Sequence, residues 1–497
     1  MSSPKRLTHL GLSARSGADP VVTGLAVDSR DVKDGFLFAA IPGTRMHGAE
    51  FITYALRMGA AAILTDAEGA DIAAQELADS HAALILTETP RATLARTAAL
   101  FFERQPKVMV AVTGTNGKTS VSTFVRQIWE VLDLPAVNLG TTGVEGVWSA
   151  PLAHTTPEPI TLHRALSEAA EQGVTHAAME ASSHGLDQAR LDGVVLTAAG
   201  FTNFTQDHLD YHETFEAYFD AKAQLFARVL PEDGTAVLNV DDPRGIDMIA
   251  IATARGQRTI SVGRDGADLC LQAQRCDTTG QDLRISYRNK PYQVRLNLVG
   301  EFQAMNALVA AGLVIACGAA PGDVMNALSH LDTVRGRMEL AAKRSNGAAV
   351  YVDYAHTPDA VETALAALRP HVMGRLIVVV GAGGDRDPFK RPLMGSAAVR
   401  GADQVFVTDD NPRSEDPADI RVAVMEGVRN AGGLDRTSEV GDRAEAILRA
   451  VDALQPGDAL LIAGKGHETG QVVGDQVLPF DDVEQASIAV AALEGTL

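Results

Sequence analysis

The sequence has little cysteine and an excess of acidic over basic residues. Only three of its 497 residues are cysteine, and Cys270, Cys276 and Cys317 form no metal-binding pattern. They predict buried or free thiols in a reducing compartment. The net charge of −20 argues against a nucleic-acid backbone or an anionic membrane as the main partner. An anionic small substrate stays open, because a site needs only a few local cations.

The sequence also lacks an apolar run long enough to cross a bilayer. The longest, ALVAAGLVIACGAA at residues 307–320, is shorter than the ~20 residues that a transmembrane helix needs. The first residues, MSSPKRLTHLGLSARSG, lack the apolar core of a signal peptide. We therefore expect a cytoplasmic protein without membrane insertion.

The length of the chain predicts about three α/β domains. Strands and helices alternate over residues 1–107, and a phosphate-loop strand begins immediately afterwards. Residues 108–334 continue this alternation and then become strand-rich. In residues 335–497, four apolar runs each end in a polar loop. These loops are expected to share the carboxyl edge of a parallel sheet, where α/β folds bind ligands.

The stretch AVTGTNGKTSV, residues 111–121, has the composition of a phosphate cradle. A buried strand is predicted over Val108–Val112 and an amphipathic helix from Thr119 to about Leu132. The two intervening glycines let backbone N–H groups turn towards an anion, and Lys118 can reach terminal phosphates. The spacing departs from the standard Walker A pattern, because Val112 stands where that pattern has glycine. An ordinary glycine-rich turn remains the alternative from this motif alone.

A nucleotide site also needs metal ligands. Glu180 ends a predicted strand, where a carboxylate can face Mg²⁺ beside the phosphate loop. In TNFTQDHLDYH, residues 202–212, Asp207, His208 and His212 are candidate metal ligands, helix caps or surface residues. Position alone does not decide among these roles.

Nine motifs in order resemble the Mur ligases of peptidoglycan synthesis. They are TGTNGKTS, MEASSHGLDQAR, TNFTQDHLDYH, GEFQAMNALVA, GRME, VDYAHTPDA, GAGGDRD, DDNPR and AGKGHE, preceded by AVDSR near the start. The resemblance spans nearly the whole chain. It implies a UDP-binding N-terminal domain, a central P-loop ATPase domain with a mainly parallel sheet, and a C-terminal Rossmann-like domain.

The resemblance also implies the reaction. A substrate carboxylate attacks the γ-phosphate of ATP to give an acyl phosphate and ADP, and the amine of an amino acid then displaces phosphate. Phosphorylation supplies the leaving group that a carboxylate lacks, and cations neutralise the crowded oxygens. Within the family, the motifs are most similar to those of members that add meso-2,6-diaminopimelate to UDP-N-acetylmuramoyl-L-alanyl-D-glutamate. ATP is the co-substrate, two Mg²⁺ ions are expected, and we expect a monomer.

The resemblance assigns residues to each ligand. Those at the ATP are Gly114, Thr115, Asn116, Gly117, Lys118, Thr119, Ser120, Asn306, Arg337 and Asp353, with His356 beside them. Those at the metal are Thr119, Glu180, His208 and Lys222, the last as a carbamate, and the catalytic set is Lys118, Glu180, His208 and Lys222. Those at the UDP-muramoyl-dipeptide are Ser29, Thr155, Thr156, Ser182, Gln188 and Arg190. His154 departs from the family's asparagine, and residues 44–46 align only loosely.

The amino-acid site is assigned to Arg391, Asp410, Asn411, Pro412, Arg413, Gly464 and Glu468. The loop Asp410–Arg413 resembles the diaminopimelate-specific version, since lysine-adding relatives lack the arginine. meso-Diaminopimelate is lysine with a second carboxylate, and a guanidinium can hold that group bidentately. L-Lysine or another diamino acid remains the alternative substrate.

Two rival functions differ in class. Folylpolyglutamate synthetase shares a similar phosphate loop and central domain, but it lacks the N-terminal UDP domain and the Asp410–Arg413 loop. A P-loop switch or motor would release ADP without either co-substrate, whereas a ligase needs both for sustained turnover.

Overall fold

A computed structural model of the chain describes residues 3–43, 46–205, 207, 209–264 and 266–496. They form two compact units. The first comprises Met1–Leu269 and Leu308–Val324, and the second comprises Cys270–Ala307 and Met325–Leu497. No helix in the described ranges is long and apolar enough to cross a membrane. The domain boundaries near 107 and 334 stay predictions.

The N-terminal part of the first unit is a parallel sheet flanked by helices. Its elements are β1 (Lys5–Arg6), β2 (Val21–Val22), β3 (Gly24–Ala26), β4 (Phe36–Ala39), α1 (Ile52–Arg57), β5 (Ala62–Thr65), α2 (Ala67–Ile72), α3 (Ala74–Ala78), β6 (Ala83–Leu86) and α4 (Pro90–Phe102). The sheet has the order β3-β4-β5-β6, with neighbouring strands parallel. Successive residues of β4 enter opposite cores, because side chains alternate along a strand: Leu37 packs in one and Phe38 in the other.

The rest of the first unit is built on a second, mainly parallel sheet. Its elements are β7 (Val108–Thr113), α5 (Lys118–Val131), β8 (Ala136–Gly140), β9 (Gly143–Gly146), α6 (Pro159–Glu171), β10 (His176–Glu180), α7 (Ser183–Asp187), β11 (Ala198–Phe201), α8 (Leu209–His212), α9 (Phe215–Gln224), β12 (Thr235–Asn239), α10 (Gly245–Ala254) and β13 (Arg258–Gly263). The strand order is β13-β12-β11-β7-β10-β8-β9, and β9 at the end is antiparallel. The strand and helix predicted around the phosphate loop correspond to β7 and α5.

This sheet brings its carboxyl ends together beside the phosphate loop. β7 lies between β10 and β11 and is parallel to both. In this register Glu180 is opposite Val112, and Phe201 is opposite Thr113. The loops that follow these strands therefore start at the same edge, which is where the sequence places the candidate ligands.

The remaining elements include the strand-rich stretch and the C-terminal α/β region. They are β14 (Leu269–Asp277), β15 (Gly280–Tyr287), β16 (Lys290–Leu296), α11 (Gln303–Ala316), α12 (Pro321–Ala327), β17 (Glu339–Lys343), β18 (Ala349–Asp353), α13 (Pro358–Leu368), β19 (Leu376–Val380), α14 (Lys390–Gly401), β20 (Gln404–Val407), α15 (Pro417–Asn430), β21 (Thr437–Glu439), α16 (Arg443–Asp452), β22 (Ala459–Ala463), β23 (Gly470–Val473), β24 (Gln476–Pro479) and α17 (Asp482–Glu494).

The C-terminal sheet confirms the predicted parallel arrangement. Its order is β17-β18-β22-β19-β20-β21, and every neighbouring pair except β17–β18 is parallel. The polar loops after β18, β19, β20 and β22 consequently share one edge. A separate antiparallel hairpin, β23–β24, follows β22 in the chain. The three cysteines are free thiols, also as expected.

Candidate active site

The phosphate loop, Gly114–Ser120, connects the end of β7 to the start of α5. Gly114 has a φ of +147°, and a Cβ there would collide with the hydroxyl of Thr202. Only glycine combines this backbone conformation with such a close approach. Gly117 has a φ of +85° and directly precedes α5. The backbone N–H groups of Thr115 and Asn116 donate to Asn203, and the loop then leads into the N-terminus of a long helix, a position suited to phosphate.

Lys118 lies across its own loop. Its Nζ donates to the carbonyl oxygens of Gly114 at 2.9 Å and Thr115 at 2.8 Å. The hydroxyl of Tyr218 on α9 is also 3.3 Å from Thr115 Oγ1. A positive charge is therefore held at the anion-binding loop, and α9 is tied to the same loop.

Glu180 is anchored between the start of α5 and the end of β8. Its Oε2 accepts a hydrogen bond from Thr119 Oγ1 at 3.0 Å, and its Oε1 accepts one from Thr141 N at 2.8 Å. A Cβ at Gly140 would collide with this carboxylate. The sequence prediction paired Thr119 with Glu180, and the structure brings them into contact. Thr141 was not predicted.

These two side chains fit one part of the expected Mg²⁺ site. A hydroxyl and a carboxylate are hard oxygen donors, and Mg²⁺ is commonly held by one or two carboxylates together with substrate phosphates. Within the described ranges, no set of three His, Cys, Asp or Glu side chains is arranged to hold a metal. His208 lies outside the described residues.

Lys222 is almost completely buried beneath the phosphate loop. Its Nζ donates to the carbonyl of Gly114 at 2.7 Å and lies 4.5 Å from the ring centroid of Tyr218. Burial lowers the pKa of the Lys222 amine well below its ordinary value, the nearby charge of Lys118 lowers it further, and Asp207 partly opposes both. Such an environment favours the neutral amine, which is the form that reacts with CO₂.

The predicted dipeptide residues cluster around the end of β10. Thr156 Oγ1 donates to the Glu180 carbonyl at 2.9 Å and accepts from Ser182 N at 3.0 Å. Arg190 donates to the Thr156 carbonyl at 2.6 Å and to Gln188 Oε1 at 2.8 Å.

The other two predicted dipeptide residues are Thr155, which lies near the same strand end, and Ser29, which lies in the N-terminal part. Thr155 Oγ1 lies 3.0 Å from Thr141 Oγ1 and so joins the cluster beside Glu180. Ser29 is buried in the turn Ser29–Asp31 of the N-terminal part. Within the described chain, it makes no hydrogen bond to the other predicted dipeptide residues.

Arg91 is a basic residue of this region that the sequence reasoning missed. Burial lowers the pKa of Arg190, and the charge of Arg91 lowers it further, so the two guanidinium groups are close. Arg91 lies in the first turn of α4 and donates to the carbonyl of Pro42. The proximity of two like charges suits an anionic substrate. No sequence pattern links them, because they lie on different domains of the predicted division.

In the second unit, Asp353 ends β18 and is held by backbone donors. Its Oδ2 accepts from Met338 N at 2.7 Å, and its Oδ1 accepts from Ala355 N at 2.9 Å. Burial raises the pKa of Asp353, and the charge of Arg337 opposes that rise. The predicted adenosine residues Arg337 and Asp353 are thus neighbours. Asn306 on α11 donates to Gln303 Oε1 at 3.0 Å.

A group of rings surrounds Tyr354, the residue after Asp353. The Arg337 guanidinium lies 4.7 Å from the Tyr354 ring centroid. The rings of His356 and His467 lie 4.6 and 5.0 Å from it. The imidazole planes are tilted by 57° and 42° from the Tyr354 ring, so the group is a polar-edged aromatic cluster, whose ring faces are suited to a heteroaromatic base. The sequence reasoning noted His356 but not Tyr354.

The predicted amino-acid residues meet where β19, β20 and β22 end. Arg413 has a φ of +52°, strained for a side chain of this size. Its guanidinium donates to the Gly384 carbonyl at 2.7 Å, and its backbone N–H donates to the Val472 carbonyl of β23 at 3.0 Å. The strained backbone therefore aims the guanidinium at the loop after β19.

Arg391 is the second guanidinium of this site. It donates to Glu415 Oε1 at 2.8 Å and to the Gly383 carbonyl at 3.2 Å. Its Nε is buried and has no hydrogen-bond partner among the described residues. Because buried donors are nearly always paired, this one is available to an anionic ligand.

Acidic and amide groups form the other side of this site. Asn411 Nδ2 donates to Glu468 Oε2 at 2.9 Å. Gly464 has a φ of +121°, and a Cβ there would crowd the Asp410 carboxylate at 2.6 Å. Guanidinium groups and carboxylates therefore belong to one loop cluster, which suits a ligand that carries both charges.

Family models match three consecutive parts of the chain. The Mur ligase family catalytic domain matches residues 21–102, the Mur ligase middle domain matches residues 112–314, and the Mur ligase glutamate ligase domain matches residues 336–466.

Individual relatives agree with these matches. The chain is 48% identical over 472 residues to the UDP-N-acetylmuramoyl-L-alanyl-D-glutamate--2,6-diaminopimelate ligase of Brucella melitensis, covering 95% of this chain and 94% of the relative. A solved structure of a ligase with the same name is 33% identical, with a TM-score of 0.70 and coverage of 95% and 96%.

A similar fold occurs in a protein that has one of the two rival functions. The folylpolyglutamate synthase of Mycobacterium tuberculosis, solved with ADP and AMPPCP, has a TM-score of 0.61 and 20% identity. The match covers 82% of this chain and 95% of that one. At this identity the likeness concerns the fold alone. From the three matched domains and the near full-length relatives, this chain belongs to the Mur ligase family.

Proposed function

We propose that this protein is an ATP-dependent ligase that joins meso-2,6-diaminopimelate to the D-glutamate carboxylate of UDP-N-acetylmuramoyl-L-alanyl-D-glutamate in peptidoglycan biosynthesis. The observation that carries the proposal is the near full-length similarity to a relative named for this activity. The charge pattern of the C-terminal loops supports the choice of amino acid, since Arg391 and Arg413 can bind carboxylates while Asp410 and Glu468 can bind an ammonium group.

Each of the three predicted domains is assigned a different part in substrate binding. We assign the UDP part of the nucleotide-sugar to residues 1–107, the phosphates of ATP to residues 108–334, and the amino acid to residues 335–497, which also supply the adenosine residues Arg337 and Asp353. The matched family segments, 21–102, 112–314 and 336–466, support this division. The protein acts as a monomer in the cytoplasm in this proposal.

The first step is phosphoryl transfer to the D-glutamate carboxylate. The phosphate loop holds the transferring group through its backbone N–H groups, and Lys118 neutralises charge as it develops. Thr119 and Glu180, with His208 and carbamylated Lys222, would hold the two expected Mg²⁺ ions, which would screen the negative oxygens of the carboxylate and the phosphates. Arg337, Asp353 and Asn306 hold the adenosine.

In the second step, the diaminopimelate amine attacks the acyl phosphate carbon, and phosphate leaves from the tetrahedral intermediate. The amine loses one proton as the amide forms. The residues at the C-terminal loops position the attacking amine by binding the far end of the molecule. Orientation of this kind lowers the barrier because it replaces a bimolecular encounter.

A substrate panel tests the proposal. Purified protein receives UDP-muramoyl-dipeptide, Mg²⁺ and ATP with meso-diaminopimelate, L-lysine, L-ornithine or L-glutamate, and products are weighed by mass spectrometry. We expect a tripeptide product with meso-diaminopimelate and ADP release only when both co-substrates are present. Preferred use of L-lysine would show that the proposed amino-acid substrate is wrong. ADP release without either co-substrate would show that the protein is not a ligase.

A further inference from the structure

Lys465, directly after Gly464, is a buried cation with no role in the proposed mechanism. Its side chain has an exposed fraction of 0%, so it cannot touch a ligand that arrives from solvent. Its Nζ donates to Asn411 Oδ1 at 2.9 Å and to the Gly470 carbonyl at 2.8 Å. Burying a lysine is costly unless the ammonium is well paired. The groups that pair with the Lys465 ammonium therefore indicate the role of this residue.

The first consequence concerns the orientation of the Asn411 amide. Asn411 Oδ1 accepts from Lys465 Nζ and from Val472 N, both at 2.9 Å. Two donors on one atom identify it as the oxygen. The amide nitrogen must then point the other way, where Nδ2 donates to Glu468 Oε2. Lys465 thus helps to set which face of Asn411 meets the carboxylate.

The second consequence concerns the two acids of the site. Lys465 Nζ lies 3.6 Å from Asp410 Oδ1 and 3.8 Å from Glu468 Oε2. A cation between two carboxylates offsets their mutual repulsion. With Oε2 held by Asn411, the other oxygen of Glu468, Oε1, accepts no hydrogen bond within the described chain. It is the oxygen left to receive an ammonium group of a ligand.

We propose that Lys465 is a positioning residue that makes the site selective for the amino group at the far end of its amino-acid substrate, by orienting Asn411 and Glu468. This inference rests on the proposed function, because it takes diaminopimelate as the ligand. The chain of contacts runs from Lys465 through Asn411 to Glu468. Lys465 itself never touches the substrate.

The test compares meso-diaminopimelate with 2-aminopimelate, which lacks the far amino group. The quantity measured is the ratio of kcat/KM for the two amino acids. In Lys465→Met we expect this ratio to fall about tenfold, the worth of one well-oriented charged hydrogen bond. The KM values for ATP and for the nucleotide-sugar peptide should stay unchanged.

A double-mutant cycle separates positioning from general damage. If Lys465 acts through Asn411, Lys465→Met should change the ratio little in an Asn411→Ala background. Full additivity of the two substitutions would overturn the inference. So would a rise in the ratio, since a purely electrostatic role predicts that removing the cation strengthens the attraction for an ammonium.

Two further variants complete the design. Lys465→Gln keeps an N–H donor for Asn411 and should retain most of the selectivity; a tenfold loss there contradicts the proposal even if Lys465→Met does not fold. Arg375→Met removes the cation that binds Asp458 at 2.7 Å, at the opposite end of β22. It should lower the unfolding temperature without altering the ratio. A wild-type protein that makes no diaminopimelate product would instead reject the proposed function.

Discussion

Lys118 and Lys222 donate to the same acceptor, the carbonyl oxygen of Gly114, at 2.9 and 2.7 Å. Two ammonium groups on one oxygen repel each other: burial lowers the pKa of the Lys222 amine, and the charge of Lys118 lowers it further. A carbamate on Lys222 would replace this repulsion by attraction, because CO₂ addition converts the amine into an anion. The contact of both lysines with Gly114 thus places the expected carbamate of Lys222 beside the phosphate loop.

We predict that ligation depends on carbamylated Lys222. Lys222→Ala should lose nearly all activity, because an anion is missing beside the phosphates, and short-chain carboxylic acids should restore part of it. The check is the rate of tripeptide formation with and without added acetate or propionate. Lys343→Ala, which removes an exposed lysine, is the control and should behave as the wild type. Full activity of Lys222→Ala in CO₂-free buffer would reject the carbamate.

We also predict that Lys118→Ala nearly abolishes ligation. Among residues 114–120, Lys118 alone carries positive charge towards the transferring phosphoryl group, and removing such a group costs roughly 3–4 kcal/mol of transition-state stabilisation. Steady-state rates of ADP release with all substrates present measure the loss. Near-normal rates would mean that the loop does not bind the transferring phosphate.

Local patterns in the sequence were sufficient to predict the strand and the helix on either side of the phosphate loop. The period of apolar residues from Val121 to Ile128 predicts α5, because it gives the helix one apolar face, although residues 119–125 are all buried in the structure. Glycine and lysine at fixed spacing then placed the loop. Strands β19 and β22 of the C-terminal sheet could be predicted equally well, since each is a continuous apolar run buried on both faces.

Other residues could not be predicted from local patterns. Thr141 contacts Glu180 only because β8 and β10 are neighbours, although they are far apart in the chain. Lys465 follows a strand like many polar residues, and its role depends on which side chains the neighbouring loop supplies. Such contacts follow from strand order, which composition and periodicity do not contain.

A stability prediction concerns His163, which is buried on α6 where α4 packs against it. Burial lowers its pKa to about 4, so the unfolded chain binds a proton near pH 6.5 and the folded chain does not. Stability is therefore lost as the pH falls from about 6.5 to about 4, by roughly 3 kcal/mol for this group.

The measurement is the unfolding temperature at pH 7 and at pH 4.5. His163→Leu should show a smaller drop between the two values than the wild type, since its buried side chain no longer titrates. His9→Gln, at an exposed position, should show the wild-type drop. An equal drop in His163→Leu would mean that His163 is not the group responsible.

The last prediction is that Arg413 sets the preference for meso-diaminopimelate over L-lysine. The two substrates differ at the far end by one carboxylate. A desolvated guanidinium–carboxylate pair discriminates by roughly 2–5 kcal/mol. Arg413→Ala should therefore raise the KM for diaminopimelate steeply and leave the KM values for ATP and the nucleotide-sugar peptide nearly unchanged.

Arg413→Lys separates charge from geometry in this prediction. An ammonium keeps the charge but cannot reproduce the planar fork, so this variant should recover little affinity. L-Lysine need not become a good substrate of either variant, because no group is added to favour it. Steady-state kinetics with each substrate varied in turn test whether Arg413 sets this preference. If Arg413→Ala keeps the wild-type selectivity between the two amino acids, Arg413 serves only to shape its loop, and the diaminopimelate carboxylate must be bound elsewhere, with Arg391 the first residue to test.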